Sequence, residues 1–316
     1  MGCAGLMPVA DAGVVPLLSV VMPSFNQATF IGEAVRSVLG QSYPAVELVV
    51  ADGGSTDGTV ELLAALAREY PGRLRWCSEP DRGPAQAINK ALKRVRGSLI
   101  GWLNSDDVYR PDAVQRAVEA LNARPDWLMV YGAAEHMDEA GRVLDVYPTL
   151  PPPVAIESFQ FGCFICQPSV FFRRSLYVLL GDLDESLQTA FDFDYWLRAF
   201  RHFPDRIGFV SAVQARSRLH AGCITRSMRR TIMLEGMQLL HRHLGYAGGH
   251  WLLNYLEEHL SPNTGPADVE ELAADLPCLL ATVKPWVREF EWRRLEREVK
   301  LRLSESVVLP QVALPL

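Results

Sequence analysis

Short apolar runs of strand length alternate, early in the chain, with segments whose apolar residues recur at helical spacing. The runs occupy residues 17–22, 46–51, 74–77 and 98–103. They are nearly unbroken in apolar residues, as expected of strands covered on both faces. Between them, Ile31, Ala34, Val35, Val38 and Leu39 fall at i, i+3, i+4, i+7 and i+8, one face of a helix. Val60, Leu63, Ala64 and Ala67 repeat the pattern, as do Ala85, Ile88, Leu92 and Val95. Pro111 is expected to open a further helix, with Val114, Val118 and Leu121 on one side. Such alternation predicts βαβ units, and hence an α/β fold with a mainly parallel sheet flanked by helices.

The rhythm then loosens. Residues 127–131 read as a fifth strand and 135–147 as a hairpin around Gly141. The proline-rich stretch 150–153 reads as a boundary loop. Strands are expected at 169–172 and 207–213, with an amphipathic helix carrying Trp196, Leu197 and Phe200 between them. From about Thr225 the pattern is mainly helical, with a break at 261–266. The expected organisation is a loose tail (1–16), an α/β domain (17–224) and a C-terminal helical accessory region (225–316). Ile232, Leu239 and Leu240, with Trp251, Tyr255, Trp286, Phe290 and Trp292, could pack that region onto the domain, close it over an acceptor, pair subunits into a homo-oligomer or rest it on a membrane.

Composition narrows the picture. With 316 residues, 49% hydrophobic and 22% charged, the chain can bury a sizeable core. Its net charge of -6 disfavours generic nucleic-acid binding, and the basic clusters at 226–230 and 293–302 read first as solvated helix faces. No apolar run approaches the ~20 residues of a spanning helix, and the first sixteen residues lack the pattern of a secretory signal. Six scattered cysteines suggest reduced thiols, with Cys163 and Cys166 in a core loop. A cytoplasmic protein is expected, with a weak peripheral contact at the inner face of the membrane left open.

The polar residues gather where the expected strands end. They are Pro23-Ser24-Phe25-Asn26, Asp52-Gly53-Gly54-Ser55-Thr56-Asp57, Glu79-Pro80-Asp81-Arg82-Gly83 and Asn104-Ser105-Asp106-Asp107. In open α/β sheets that edge forms the ligand crevice. Asp52 before two glycines suits a nucleobase N–H, or else caps the next helix. Adjacent Asp106 and Asp107 suit a divalent cation, Mg or Mn, held against a diphosphate, or else begin a helix. Neither a G-x-G-x-x-G fingerprint nor a P-loop is present, which argues against NAD binding and ATP hydrolysis. Later, Asp192-Phe193-Asp194-Tyr195-Trp196 opens a helix, and His220 is a candidate third metal ligand or a structural histidine.

In combination, Ser19 to Asn26, Asp52 to Thr59 and Trp102 to Asp107 resemble glycosyltransferase family 2, whose members have the GT-A, Rossmann-like fold. Ser78 to Gly83 and Ala87 to Lys90 look like its bacterial cell-envelope and exopolysaccharide subgroup, and the likeness runs over about 17–220. The resemblance implies inverting transfer from a nucleotide-diphosphate sugar, a UDP-sugar being favoured, to a hydroxyl of a glycan or lipid-linked glycan. It puts Pro23, Ser24, Phe25 and Asn26 around the nucleoside, and Asp52 with Gly53 at the base. Asp81, Arg82, Asn89, Asn104 and Ser105 would complete the nucleotide-sugar contacts. Asp106, Asp107 and His220 would serve the metal, and Asp192 would be the catalytic base. The sequence departs from the pattern at Asn104 in the first D-x-D position, at Gln86 where the subgroup usually has Asp, and at Phe191 where many relatives have Glu. Two other readings stay open: a sugar nucleotidyltransferase, and a non-catalytic nucleotide-sugar-binding scaffold.

Overall fold

A computed structural model of the chain describes residues 15–260 and 266–305. The first half runs β1 (Leu18–Ser24), α1 (Ile31–Leu39), β2 (Val46–Asp52), α2 (Thr59–Glu69), β3 (Leu74–Ser78), α3 (Pro84–Leu92), β4 (Leu99–Trp102), β5 (Val108–Tyr109), α4 (Ala113–Ala123), β6 (Met129–Met137) and β7 (Val143–Val146). There follow β8 (Phe171–Arg173), α5 (Arg174–Leu180), α6 (Phe191–His202) and β9 (Ile207–Arg218). The helices α7 (Ile224–Ser227), α8 (Arg229–Leu244), α9 (His250–His259), α10 (Pro266–Val283) and α11 (Glu289–Glu305) complete it. The sheet order is β3-β2-β1-β4-β8-β6-β9-β5, with β7 beside β6.

The pairs β1–β2, β1–β4, β2–β3 and β6–β9 are parallel, which gives the sheet its mainly parallel character. β1 and β2 are buried along their full length, as their mostly apolar runs require, and the polar residues inside them, Ser19 and Glu47, bond each other at 2.7 Å. Alternate residues serve opposite faces. Val20, Met22, Leu48 and Val50 pack beneath α1, α2 and α4. Val21, Val49, Ala51, Ile100 and Trp102 belong to the other core, with α3 and α6. That second core also takes in Met233, Met237, Leu240, Leu252, Leu276, Leu279, Trp292 and Leu295 of the C-terminal helices. Those helices pack closely, for a Cβ on Gly236 of α8 would lie 2.5 Å from the Trp251 ring of α9.

Several boundaries differ from expectation. Pro111 lies ahead of α4, which starts at Ala113 after Asp112, held in the left-handed region at φ 61°. Val95 lies past the end of α3, yet it is buried in the core. The fifth strand runs on to Met137 and forms the long arm of the expected hairpin, pairing Glu135 with Val146. β9 continues five residues past the apolar run at 207–213. Its polar end is kept in the sheet by fully buried Gln214, which receives Arg116 Nε at 2.7 Å and donates to Ala113 O at 2.9 Å. The tail through residue 14 and most of the break at 261–266 lie outside the described residues.

Candidate active site

Register brings the strand ends level. Ser24 pairs with Asp52, and Asp52 with Ser78, so the loops after β1, β2 and β3 leave the sheet side by side. Together with the turn after β4 they border a cleft of about 430 Å³. Pro23, Ser24, Phe25, Gly53, Asp81, Asn104, Ser105, Asp106 and Asp107 line it on one side, and Phe191, Arg218 and residues 222–225 on the other. Phe25 stands 60% exposed at the mouth. The Ser24 hydroxyl is buried and has no hydrogen-bond partner among the described residues.

Asp52 organises the loop after β2. Burial would raise its carboxyl, but hydrogen bonds from the Ser55 and Ser78 hydroxyls and the Ser55 and Gly54 amides outweigh it and hold the group below the usual carboxylate range. Asn26, at φ 53°, accepts the Thr56 amide at 2.9 Å and donates its own amide to Ser55 Oγ at 2.7 Å, tying the first loop to the second. Gly53 has a steric reason, since a Cβ there would meet Asp81 Oδ2 at 2.8 Å.

The third loop behaves differently. Asp81 lines the cleft and accepts the Gly83 amide at 2.9 Å. Arg82, Gln86 and Asn89 instead converge on Glu185, at 2.6, 2.9 and 3.1 Å. Asn89 is buried and also bonds both backbone polar groups of Leu183. Glu185 was missed in the sequence, although an acidic cluster after Gly181 marked that segment.

Asp106 and His220 meet, with Oδ2 and Nε2 3.0 Å apart. Adjacent ligands of an octahedral ion with bonds near 2.1 Å are also about 3 Å apart, so the pair fits two neighbouring positions of such an ion. Among the described residues no three His, Cys, Asp or Glu side chains are grouped to hold a metal, so diphosphate oxygens and water would supply the rest. Asp107 is buried and accepts the Arg218 amide at 2.8 Å and Asn104 Nδ2 at 3.3 Å. Burial, with the Asp106 charge beside it, pushes its carboxyl well above the ordinary value. Arg218 was also missed. Its buried guanidinium bonds Asp106 O, Asp138 O, Glu139 O and Glu33 Oε2 and lies 4.9 Å over the Phe30 ring, fastening β9 to the acidic turn.

The two acids at the start of α6 have different surroundings. Asp194 is buried between His243 Nε2 and Arg198 Nε, each at 2.9 Å. Asp192 lies close to Cys163, Cys166 and Tyr147, and burial raises its carboxyl to about 6 despite the Phe193 amide at 2.7 Å. The same apolar setting pushes the Cys163 thiol up to about 12. Phe191, one residue before Asp192, lines the cleft and stacks on Trp102 at the end of β4.

Polar loops at one sheet edge, an Asp–His pair and a buried, elevated carboxyl beside the cleft lie on a GT-A-like fold. The chain belongs to the family described as glycosyl transferase family 2, whose sequence model matches residues 19–176. An uncharacterized glycosyltransferase of Rickettsia conorii is 29% identical over 216 residues, covering 65% of this chain and 34% of the relative. The hyaluronan synthase of Pasteurella multocida is 30% identical over 196 residues, covering 61% of this chain and 20% of the synthase. The chain thus matches only about a third of the first of these relatives and a fifth of the second. Among solved structures, residues 1–349 of S. aureus TarS superpose with a TM-score of 0.60 at 18% identity, covering 91% of this chain and 85% of that one. The mannosyltransferase PcManGT of Pyrobaculum calidifontis, solved with GDP-Man and Mn2+, gives 0.56 at 20% identity, covering 92% and 81%. At these identities the superpositions establish the fold.

Proposed function

We propose that the chain transfers a sugar, with inversion, from a nucleoside-diphosphate sugar to a hydroxyl acceptor such as a glycan or lipid-linked glycan. The observation that carries this reading is the Asp106–His220 couple at a cleft lined by Asp106 and Phe191, the residue before the elevated Asp192 carboxyl, which has no charged partner among the contacts described above. Asp192 takes the proton from the acceptor hydroxyl as its oxygen bonds to the anomeric carbon, and the bond from that carbon to the phosphate oxygen breaks. The electron pair leaves with the nucleoside diphosphate. Asp106 and His220 would hold a divalent cation, Mg or Mn, which would supply Lewis-acid neutralisation of the leaving diphosphate. Asp107 and Arg218 keep Asp106 in place. Ser24 and the loop ordered by Asp52 receive the nucleoside. S. aureus TarS has been solved with UDP and with UDP-GlcNAc, which supports a uridine donor here.

Residues 17–224 act in this reading as the catalytic unit, with 225–316 as its helical extension. Among the described residues no helix is long and apolar enough to cross a membrane. In this reading the protein works in the cytoplasm, with peripheral contact at the inner membrane face and with self-association both compatible. Calorimetric titration of UDP- and GDP-sugars, with and without Mn²⁺, tests the donor half. Saturable binding that strengthens with the cation supports it, and absence of binding by every nucleotide sugar overturns it.

A further inference from the structure

The start of α6 is held from outside its own sequence. The carboxylate of Glu235, in the second turn of α8, receives the backbone amides of Gln188 at 2.8 Å, Thr189 at 2.9 Å and Ala190 at 2.9 Å, and the Thr189 hydroxyl at 2.7 Å. The next two residues are Phe191 and Asp192. The N-cap residue, Ala190, offers no side-chain hydrogen bond, and inside the helix Asp192 accepts the first-turn amide of Phe193 at 2.7 Å. Ala190 is the N-cap of α6 and the other two amides belong to the residues leading into it, a place where a local Ser, Thr, Asp or Asn ordinarily supplies the acceptor. Here a residue over forty positions later does the work. A second grip lies eight residues further along α8, where His243 bonds Asp194 at 2.9 Å. Between the two grips, Met237, Leu239 and Leu240 are buried in the core that holds Phe193 and Trp196. From α9, the Trp251 ring packs 4.9 Å from Phe193.

We propose that Glu235 is a positioning residue for the transfer reaction: by gathering the amides of residues 188–190 it fixes where the first turn of α6 begins, and so where Asp192 stands relative to the cleft. This rests on the reading of Asp192 as the base. It makes the C-terminal extension part of the reaction geometry, without contact with the nucleotide. A charged acceptor is needed because three amides and a hydroxyl all donate to one group. A glutamine there would turn an NH₂ toward those donors.

The test compares wild type, Glu235→Gln and Asp192→Asn in the full chain, at a temperature where each remains folded by circular dichroism. Two quantities are read: amide hydrogen exchange over residues 186–196, and the kcat and donor KM of sugar transfer. For Glu235→Gln the expected result is exchange at least tenfold faster over 188–194 with β1 and β2 unchanged, kcat lowered by ~10- to 100-fold, and donor KM within twofold of wild type. A purely structural role would lower the melting temperature and leave kcat intact in the folded protein. Wild-type exchange at 188–194, or wild-type kcat in folded Glu235→Gln, overturns the proposal. Full activity in Asp192→Asn would instead remove the base assignment, while the exchange measurement would still decide whether Glu235 fixes the helix start.

Discussion

Asp192→Asn should make the protein more stable and much less active, and the stability gain should depend on pH. Burial moves the Asp192 carboxyl from its ordinary 3.8 to about 6 in the folded protein. Below pH 3.8 both folded and unfolded chains hold the proton, and the group costs nothing. Between 3.8 and 6 the unfolded chain loses its proton first, so stability falls as pH rises. Above 6 the full cost is present, about 3 kcal/mol at about 1.36 kcal/mol per pH unit. Asn is neutral throughout and keeps an oxygen for the Phe193 amide. At pH 7.5 the variant should therefore gain up to about 3 kcal/mol, shrinking to roughly half at pH 5. For a chain of this size that is on the order of 5–10 °C in melting temperature at the higher pH. Thermal unfolding of both proteins at the two pH values reads it directly. A variant no more stable at pH 7.5, or a gain equal at both pH values, would refute the assignment of a desolvated, ionised carboxylate at this position.

Asp106→Ala should abolish the strengthening of nucleotide-sugar binding by Mn²⁺ while leaving the melting temperature of the free protein nearly unchanged, as read by calorimetry and thermal unfolding. Asp52→Ala should cost stability as well as nucleotide affinity, on the order of 3 kcal/mol or more, because four donors lose a charged acceptor. Urea unfolding measures it, and a loss below about 1 kcal/mol would contradict the organising role of this carboxylate. Deleting residues 270–316 should leave no stable fold. It removes buried Leu272, Leu276, Leu279, Leu280, Val283, Trp292, Leu295 and Val299, each worth about 1.5–3 kcal/mol, from a protein whose net stability is on the order of 5–15 kcal/mol. Cooperative unfolding near the wild-type temperature would overturn this.

The half of the molecule that alternates strand and helix was readable because its signals are local. Apolar runs set β1 to β4, and helical spacing set α1 to α4, with errors at helix ends, where Asp112 delayed α4 and Val95, though buried, fell past the end of α3. The cleft was readable for the same reason, since four polar loops at consecutive strand ends must share one edge. The ties across the site were not. Arg218 sits at the polar end of a strand that carries no periodic pattern, and its role depends on Glu33 and Asp106, 185 and 112 residues away. Arg82 and Asn89 looked like ligand contacts, but their side chains are engaged by Glu185 and Leu183. The difference between Asp192 and Asp194 was likewise invisible, because it is made by His243 and Arg198 around one and by an apolar setting around the other.

The most direct test of the central claim is acceptor-dependent release of nucleoside diphosphate from a panel of UDP- and GDP-sugars, in the presence of Mg²⁺ or Mn²⁺, by wild type and by Asp192→Asn. The account predicts release by the wild type with at least one donor, loss of release on chelation, and a rate at least ~10²-fold lower in Asp192→Asn at unchanged donor affinity. Equal rates in the two proteins, or no release from any donor that binds, would contradict it.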